Sequence, residues 1–104
     1  MQQEPAFAVH WPRAQRMQAV EPVAARLADL PGKTVAFVWD YLFRGDEIFA
    51  ILQRELTARF PGITFIGHEV FGSTHGSDER EVLERLPAKL KELRVDAVIS
   101  GMGC

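Results

Sequence analysis

Residues 34–39, Thr34-Val35-Ala36-Phe37-Val38-Trp39, form a continuous run in which five apolar residues follow Thr34. Continuous hydrophobicity with two valines and two aromatics predicts a strand covered on both faces, as in parallel sheets. Ahead of it, residues 1–20 show no periodicity and contain Pro5 and Pro12, so an irregular arm is expected. Pro22 opens a predicted short helix with Val23, Leu27 and Leu30 at helical spacing, stopped by Pro31-Gly32. Beyond the strand, Asp46 and Glu47 complement a helix dipole. Ile48, Leu52, Leu56 and Phe60 then form an apolar stripe, widened by Phe49 and Ile51 and closed by Pro61-Gly62.

Residues 63–71 predict a second strand, with Ile63, Phe65 and Val70 inward. Residues 72–76 are a loop, and Ser77 is the expected N-cap of a second helix, followed by Asp78 and Glu79. Val82, Leu83, Leu86, Leu90 and Leu93 are its core face, and Lys89, Lys91 and Arg94 load its C-terminal end. Pro87 is expected to kink this helix or to start another. Residues 95–99 predict a third strand.

The order β-α-β-α-β predicts an α/β fold: a Rossmann-like unit with a short, mostly parallel sheet in two or three layers. Residues 1–32 form an arm with a short helix and residues 33–104 the α/β domain. The chain stops at Cys104, directly after an apolar strand, which predicts that the domain is the first part of a longer one. A sheet left that way exposes an edge and apolar surface, so homo-oligomerisation or self-association is expected. The 104 residues suffice for one domain with a small core. A net charge of −2 gives no reason to expect nucleic acid or an anionic membrane, and no apolar run approaches a bilayer span of roughly 20 residues. The N-terminus lacks the pattern of a secretory signal, and a single cysteine forms no internal disulfide; together these place the chain in the cytoplasm as an expectation.

Ligands of open parallel sheets bind beyond the carboxyl ends of the strands. Three segments leave those ends: residues 40–45, 71–76 and 100–104. Cys104, approached by the N–H groups of a glycine-rich turn, is the leading catalytic candidate; its alternative is a small buried hydrophobe. Asp40 reads either as a base or ligand or as an acceptor for its own loop. His75 reads as a general acid–base or as an ordinary loop histidine. Gly101, Gly103, Ser73, Thr74 and Arg44 are the expected substrate-binding positions. His68 and Glu69, placed within the second strand, point to opposite faces and make a poor metal pair, and His10 lies in the arm. No metal-ligand spacing, phosphate-binding glycine fingerprint or nucleophile elbow occurs, and neither a metal nor a separate cofactor is expected.

Three segments carry a resemblance: Asp40-Tyr41-Leu42-Phe43-Arg44-Gly45-Asp46-Glu47; Phe71-Gly72-Ser73-Thr74-His75-Gly76 with Asp78-Glu79-Arg80; and Asp96-Ala97-Val98-Ile99-Ser100-Gly101-Met102-Gly103-Cys104. Together, over roughly residues 33–104, the chain resembles the amino-terminal part of the UGSC family, named for a selenocysteine-Gly-Ser-Cys motif in which cysteine often replaces selenocysteine. The resemblance implies an α/β protein with a thiol or selenol redox centre. The motif's Gly-Ser-Cys is missing here. One alignment puts selenocysteine directly after Cys104, where a UGA codon would be read as a stop; the other makes Cys104 the motif's first residue. The first explains the ending. The leading expectation is therefore a fragment of a redox enzyme acting on a small-molecule or thiol substrate and inactive as this chain. A cofactor-independent racemase or lyase half and a non-catalytic α/β binding module are the alternatives.

Overall fold

The computed structural model describes residues 6, 8–10, 12 and 19–101. Its elements are β1 (Thr34–Trp39), α1 (Gly45–Arg59), β2 (Thr64–Ile66), the 3-10 turn η1 (His68–Val70), α2 (Glu79–Glu92) and β3 (Ala97–Gly101). The strands form one parallel sheet in the order β2-β1-β3. β1, the most apolar strand, takes the centre, and five of its six residues are buried.

Alternate β1 side chains feed two cores. Phe37 and Trp39 pack with Phe49 of α1, backed by Leu52, Phe65 and Ile99. Ala36 and Val38 pack with Phe71, backed by Ile66, Leu86, Leu90 and Val95. α1 and α2 thus lie on opposite faces, and the fold is an α/β/α sandwich of three layers, as the alternating element order requires. Within α1 the buried residues are Gly45 and Phe49, whereas Ile48 is half exposed, as is Ile51. Phe49 lies between two aromatic partners on β1, and its ring outweighs the branched chain beside it. In α2, Leu86 and Leu90 meet the core, while Leu83 is half exposed and Leu93 somewhat less.

Several expectations need correction. The helix over residues 22–30 is not formed; that segment is irregular and almost wholly exposed. A nine-residue helix lies below the roughly 12–15 residues that persist alone in water, and Val23 finds nothing to pack on. β2 ends at Ile66 instead of residue 71. The chain leaves the ladder as η1 and rejoins β1 only at Ser73, bridged to Trp39. His68 and Glu69 therefore belong to a 3-10 turn, and Val70 is half exposed. The residue preceding α2 is Asp78 rather than Ser77, and its side chain makes no capping bond. Pro87 interrupts nothing: α2 runs unbroken across it.

β3 begins at Ala97 rather than residue 95 and continues through Ser100 and Gly101, which were expected in a loop. The two residues before it are otherwise engaged. Val95 N–H donates to Leu90 O (3.0 Å) and Arg94 N–H to Lys91 O (3.1 Å), with Arg94 at φ +54°, a Schellman C-cap. Asp96 exchanges bonds with Thr34, its N–H donating to Thr34 O (2.8 Å) and its carboxylate accepting Thr34 N–H (2.9 Å). Arg94 is a non-glycine residue in a left-handed position and is exposed. Arg94→Gly is expected to raise stability by about 1 kcal/mol in denaturant titration, because glycine carries no Cβ penalty there.

Candidate active site at the carboxyl edge of the sheet

The three strand-end segments meet around Asp40. This residue directly follows β1 and is buried. Its N–H donates to Gly101 O on β3 (3.3 Å), and its carbonyl accepts the Ser73 hydroxyl (3.5 Å). Thr74 N–H donates to Trp39 O (3.1 Å), so the segment returning from η1 extends the ladder by one step. Four of the expected positions, Asp40, Ser73, Thr74 and Gly101, are thereby brought together.

The Asp40 carboxylate accepts Leu42 N–H through Oδ1 (3.0 Å), an Asx turn that fixes the start of the loop. Trp39 Nε1–H donates to Leu42 O (3.0 Å). Leu42 is thus held at both its backbone groups, and the residues on either side of it, Tyr41 (φ +63°) and Phe43 (φ +58°), are left-handed. Aromatic side chains disfavour that region, so the clamp must hold them there. Asp40→Ala removes the acceptor and is expected to cost about 1–3 kcal/mol in thermal unfolding. Asp40→Asn keeps an oxygen in place and is expected to melt within a few degrees of the parent, which separates the carboxyl group's structural role from any proton-transfer role.

The indole of Trp39 organises the rim. Tyr41 stacks on it (centroids 4.6 Å apart, 19°), and the His68 ring approaches it edge-on (4.9 Å, 88°). His68 also meets Tyr41 (5.2 Å, 75°). Gly101 presses against the same indole: a Cβ there would sit 3.1 Å from Trp39 Cδ1 and 2.8 Å from Phe49 Cζ. Gly101 thus has a packing role that its reading as a substrate contact did not foresee.

The other candidates lie apart from this centre. The imidazole of His75 is exposed and faces Glu79 (Nδ1–Oε2 3.9 Å), although its backbone N–H donates to Ser73 Oγ (3.1 Å). Arg44 is exposed and pairs with Glu47 (2.7 Å). Cys104 and Gly103 fall outside the described residues. Tyr41 and His68 are rim residues that the sequence reading passed over; once η1 is mistaken for strand, no local pattern places His68 against Trp39.

A separate groove of about 220 Å³ lies between η1 and α2, lined by Glu69, Asp78, Glu81, Arg85 and Lys89 among others. Its cations are engaged: Arg85 lies 3.7 Å from Glu81, and Lys89 Nζ donates to Val70 O (3.0 Å). Among the described residues, no group of three or more His, Cys, Asp or Glu side chains is placed to hold a metal ion. No helix of the described residues is long and apolar enough to cross a membrane.

These features define a three-layer α/β protein whose candidate site lies at the carboxyl edge of a parallel sheet, between the ends of β1 and β3. The UGSC family profile matches residues 8–104, nearly the whole chain and more of the arm than the motif segments covered. The chain belongs to the UGSC family. No curated protein and no solved structure matches it.

Proposed function

We propose that the protein is a thiol- or selenol-dependent redox protein whose reactive group lies on the segment following β3. The observation that carries this reading is the bonding of buried Asp40 to both Gly101 and Ser73, which ties the exit of β3 to the end of β1 and to the loop after η1. Cys104 is three residues beyond Gly101 in the sequence. Family membership supports the chemistry, since the family's name describes a selenocysteine and a cysteine separated by two residues. Such a pair can close into a bridge: the more acidic selenol attacks and the thiol resolves.

The 104 residues contain one cysteine, so this chain forms mixed or intermolecular disulfides but no internal bridge. The reading is tested on the Cys104 thiol itself: alkylation by iodoacetamide should persist to a pH below the ordinary thiol range of about 8.5, and mixed-disulfide formation should outpace that of the peptide Ser-Gly-Met-Gly-Cys; peptide-like behaviour in both overturns it. The substrate is a thiol or another small molecule, the compartment a reducing one such as the cytoplasm. Self-association through the outer edge of β3 belongs to the same proposal. Val98 on that strand is 44% exposed, although its register partner Ala36 lies in the core on the α2 side.

A further inference from the structure

The loop between β1 and α1 presents three consecutive large apolar side chains at the rim: Tyr41 is 46% exposed, Leu42 37% and Phe43 77%. Three observations set them apart from incidental surface apolarity. First, they stand at the carboxyl edge of a parallel sheet, where ligands of such sheets bind. Second, they are held and not frayed: Leu42 is bonded through both its N–H and its carbonyl, and Tyr41 lies stacked on Trp39. Third, their arrangement works against folding. Tyr41 and Phe43 occupy left-handed conformations that asparagine or glycine would adopt more readily, and the Phe43 ring remains largely in water while Tyr41 is half exposed.

A packing role does not account for Phe43. It precedes the residue that caps α1, a position from which a side chain can pack on Ile48, the fourth residue of the helix. Phe43 at 77% and Ile48 at 51% exposure leave each other uncovered. Nor is the loop built to hold an anion, since its one cation, Arg44, is paired with Glu47. Tyr41 and Gly101 both meet the Trp39 indole, so the apolar surface adjoins the exit of β3.

We propose that Tyr41, Leu42 and Phe43 form a preorganised wall, adjoining the exit of β3 at Gly101, that binds an apolar, preferably aromatic, group of the substrate. This rests on the redox reading above and gives its substrate class: a neutral sulfur compound carrying an aryl or bulky alkyl group, not an anionic thiol such as glutathione. Fixing the wall in advance lowers the ordering cost of binding.

The test uses the 104-residue chain and two neutral disulfides, 2,2′-dithiodipyridine and bis(2-hydroxyethyl) disulfide. In each reaction the Cys104 thiolate attacks one sulfur of the probe. A protein–probe S–S bond forms, the probe's own S–S bond breaks, and the other half leaves as thiolate; the protein thiol is oxidised and the probe reduced. Dividing each rate by that of the peptide Ser-Gly-Met-Gly-Cys removes the difference in leaving groups. The expected result is that the normalised rate for the aromatic probe exceeds that for the hydroxyethyl probe by roughly tenfold, the scale set by partly burying one aromatic ring. Phe43→Asn and Tyr41→Asn, which suit the left-handed backbone, should fold and should each lower this preference to about twofold or less. A parent preference of twofold or less, or Asn variants that keep the parent preference, overturns the proposal. The two readings fail differently. Equal acceleration of both probes over the peptide sinks the apolar wall and leaves the reactive thiol standing, whereas peptide-like rates for both sink the two together.

Discussion

Phe37→Ala is expected to abolish the cooperative unfolding transition of this chain at ambient temperature. Phe37, like Phe71 on the other face of the sheet, is essentially sealed from solvent. It stacks on Phe49 of α1 (4.4 Å, 27°) and on Phe65 of β2 (5.3 Å, 7°), so one ring joins the central strand to a helix and to an edge strand. Truncating a buried phenylalanine costs about 3–5 kcal/mol in lost transfer energy and residual cavity. A domain of this size has about 5–10 kcal/mol in total, at the low end where the core is small. The loss is thus comparable to the whole margin. Circular dichroism melting should show a broad, non-cooperative decline, or a midpoint lowered by 15 °C or more, given about 4–8 °C per kcal/mol in small domains. Phe37→Leu retains most of the volume and is expected to cost less than half as much. A Phe37→Ala midpoint within about 5 °C of the parent would show that the aromatic cluster does not hold the layers together.

That cluster also shows where sequence periodicity is informative and where it stops. β1 was readable residue for residue, because an unbroken run of five apolar residues after Thr34 has few other fates and nothing in Thr34–Trp39 breaks it. α1 was readable as a helix, and of its stripe Leu52 backs the core while Leu56 and Phe60 are partly buried; only at its start does the ring of Phe49 take the inner position in place of Ile48, because Phe37 and Trp39 wait on the sheet. β3 was displaced, since Val95 and Asp96 complete the cap of α2 and the join to Thr34 before the ladder begins. An apolar run locates a strand; the hydrogen bonds at its two ends decide where it starts.

The site follows the same division. The meeting of residues 40–45, the loop after η1 and the end of β3 follows from parallel pairing, and any parallel β-α-β-α-β unit brings those ends to one edge. Asp40 could be chosen because a carboxylate after a buried strand needs a partner, and Leu42 N–H is one. The left-handed Tyr41 and Phe43 were not legible, because propensity argues against φ > 0 at aromatic residues and only the clamp on Leu42 holds them there. Nor was the part played by Gly45 and Gly101. Glycine is chosen at these positions by what stands opposite: Trp39 at Gly45, and Phe49 together with Trp39 at Gly101.

Gly45→Ala is the second large effect expected, and its sign opposes the usual rule. Gly45 is the first residue of α1 and its φ is not left-handed. Alanine there would ordinarily stabilise the helix, by up to about 1 kcal/mol in a helix interior. Here the added Cβ would lie 2.3 Å from Trp39 Nε1, 2.6 Å from Cε2 and 2.9 Å from Cδ1, too close for all three atoms of a rigid ring. Either the helix start or the indole must move. Moving the indole breaks its bond to Leu42 O and disturbs its stacking with Tyr41, so the strain passes into the loop that carries the rim. The expected cost is about 1–3 kcal/mol from overpacking, more than the propensity gain, and a lower melting midpoint follows. In a Trp11→Phe background, Trp39 is the only tryptophan and its emission should change with Gly45→Ala even where the chain is fully folded. Adding Trp39→Leu, which removes the ring, should abolish most of the penalty, giving a coupling of at least about 1 kcal/mol between the two positions. A Gly45→Ala chain that melts higher than the parent with unchanged Trp39 emission would mean that the indole does not seat against α1, and the clamp on the rim loop would lose its anchor.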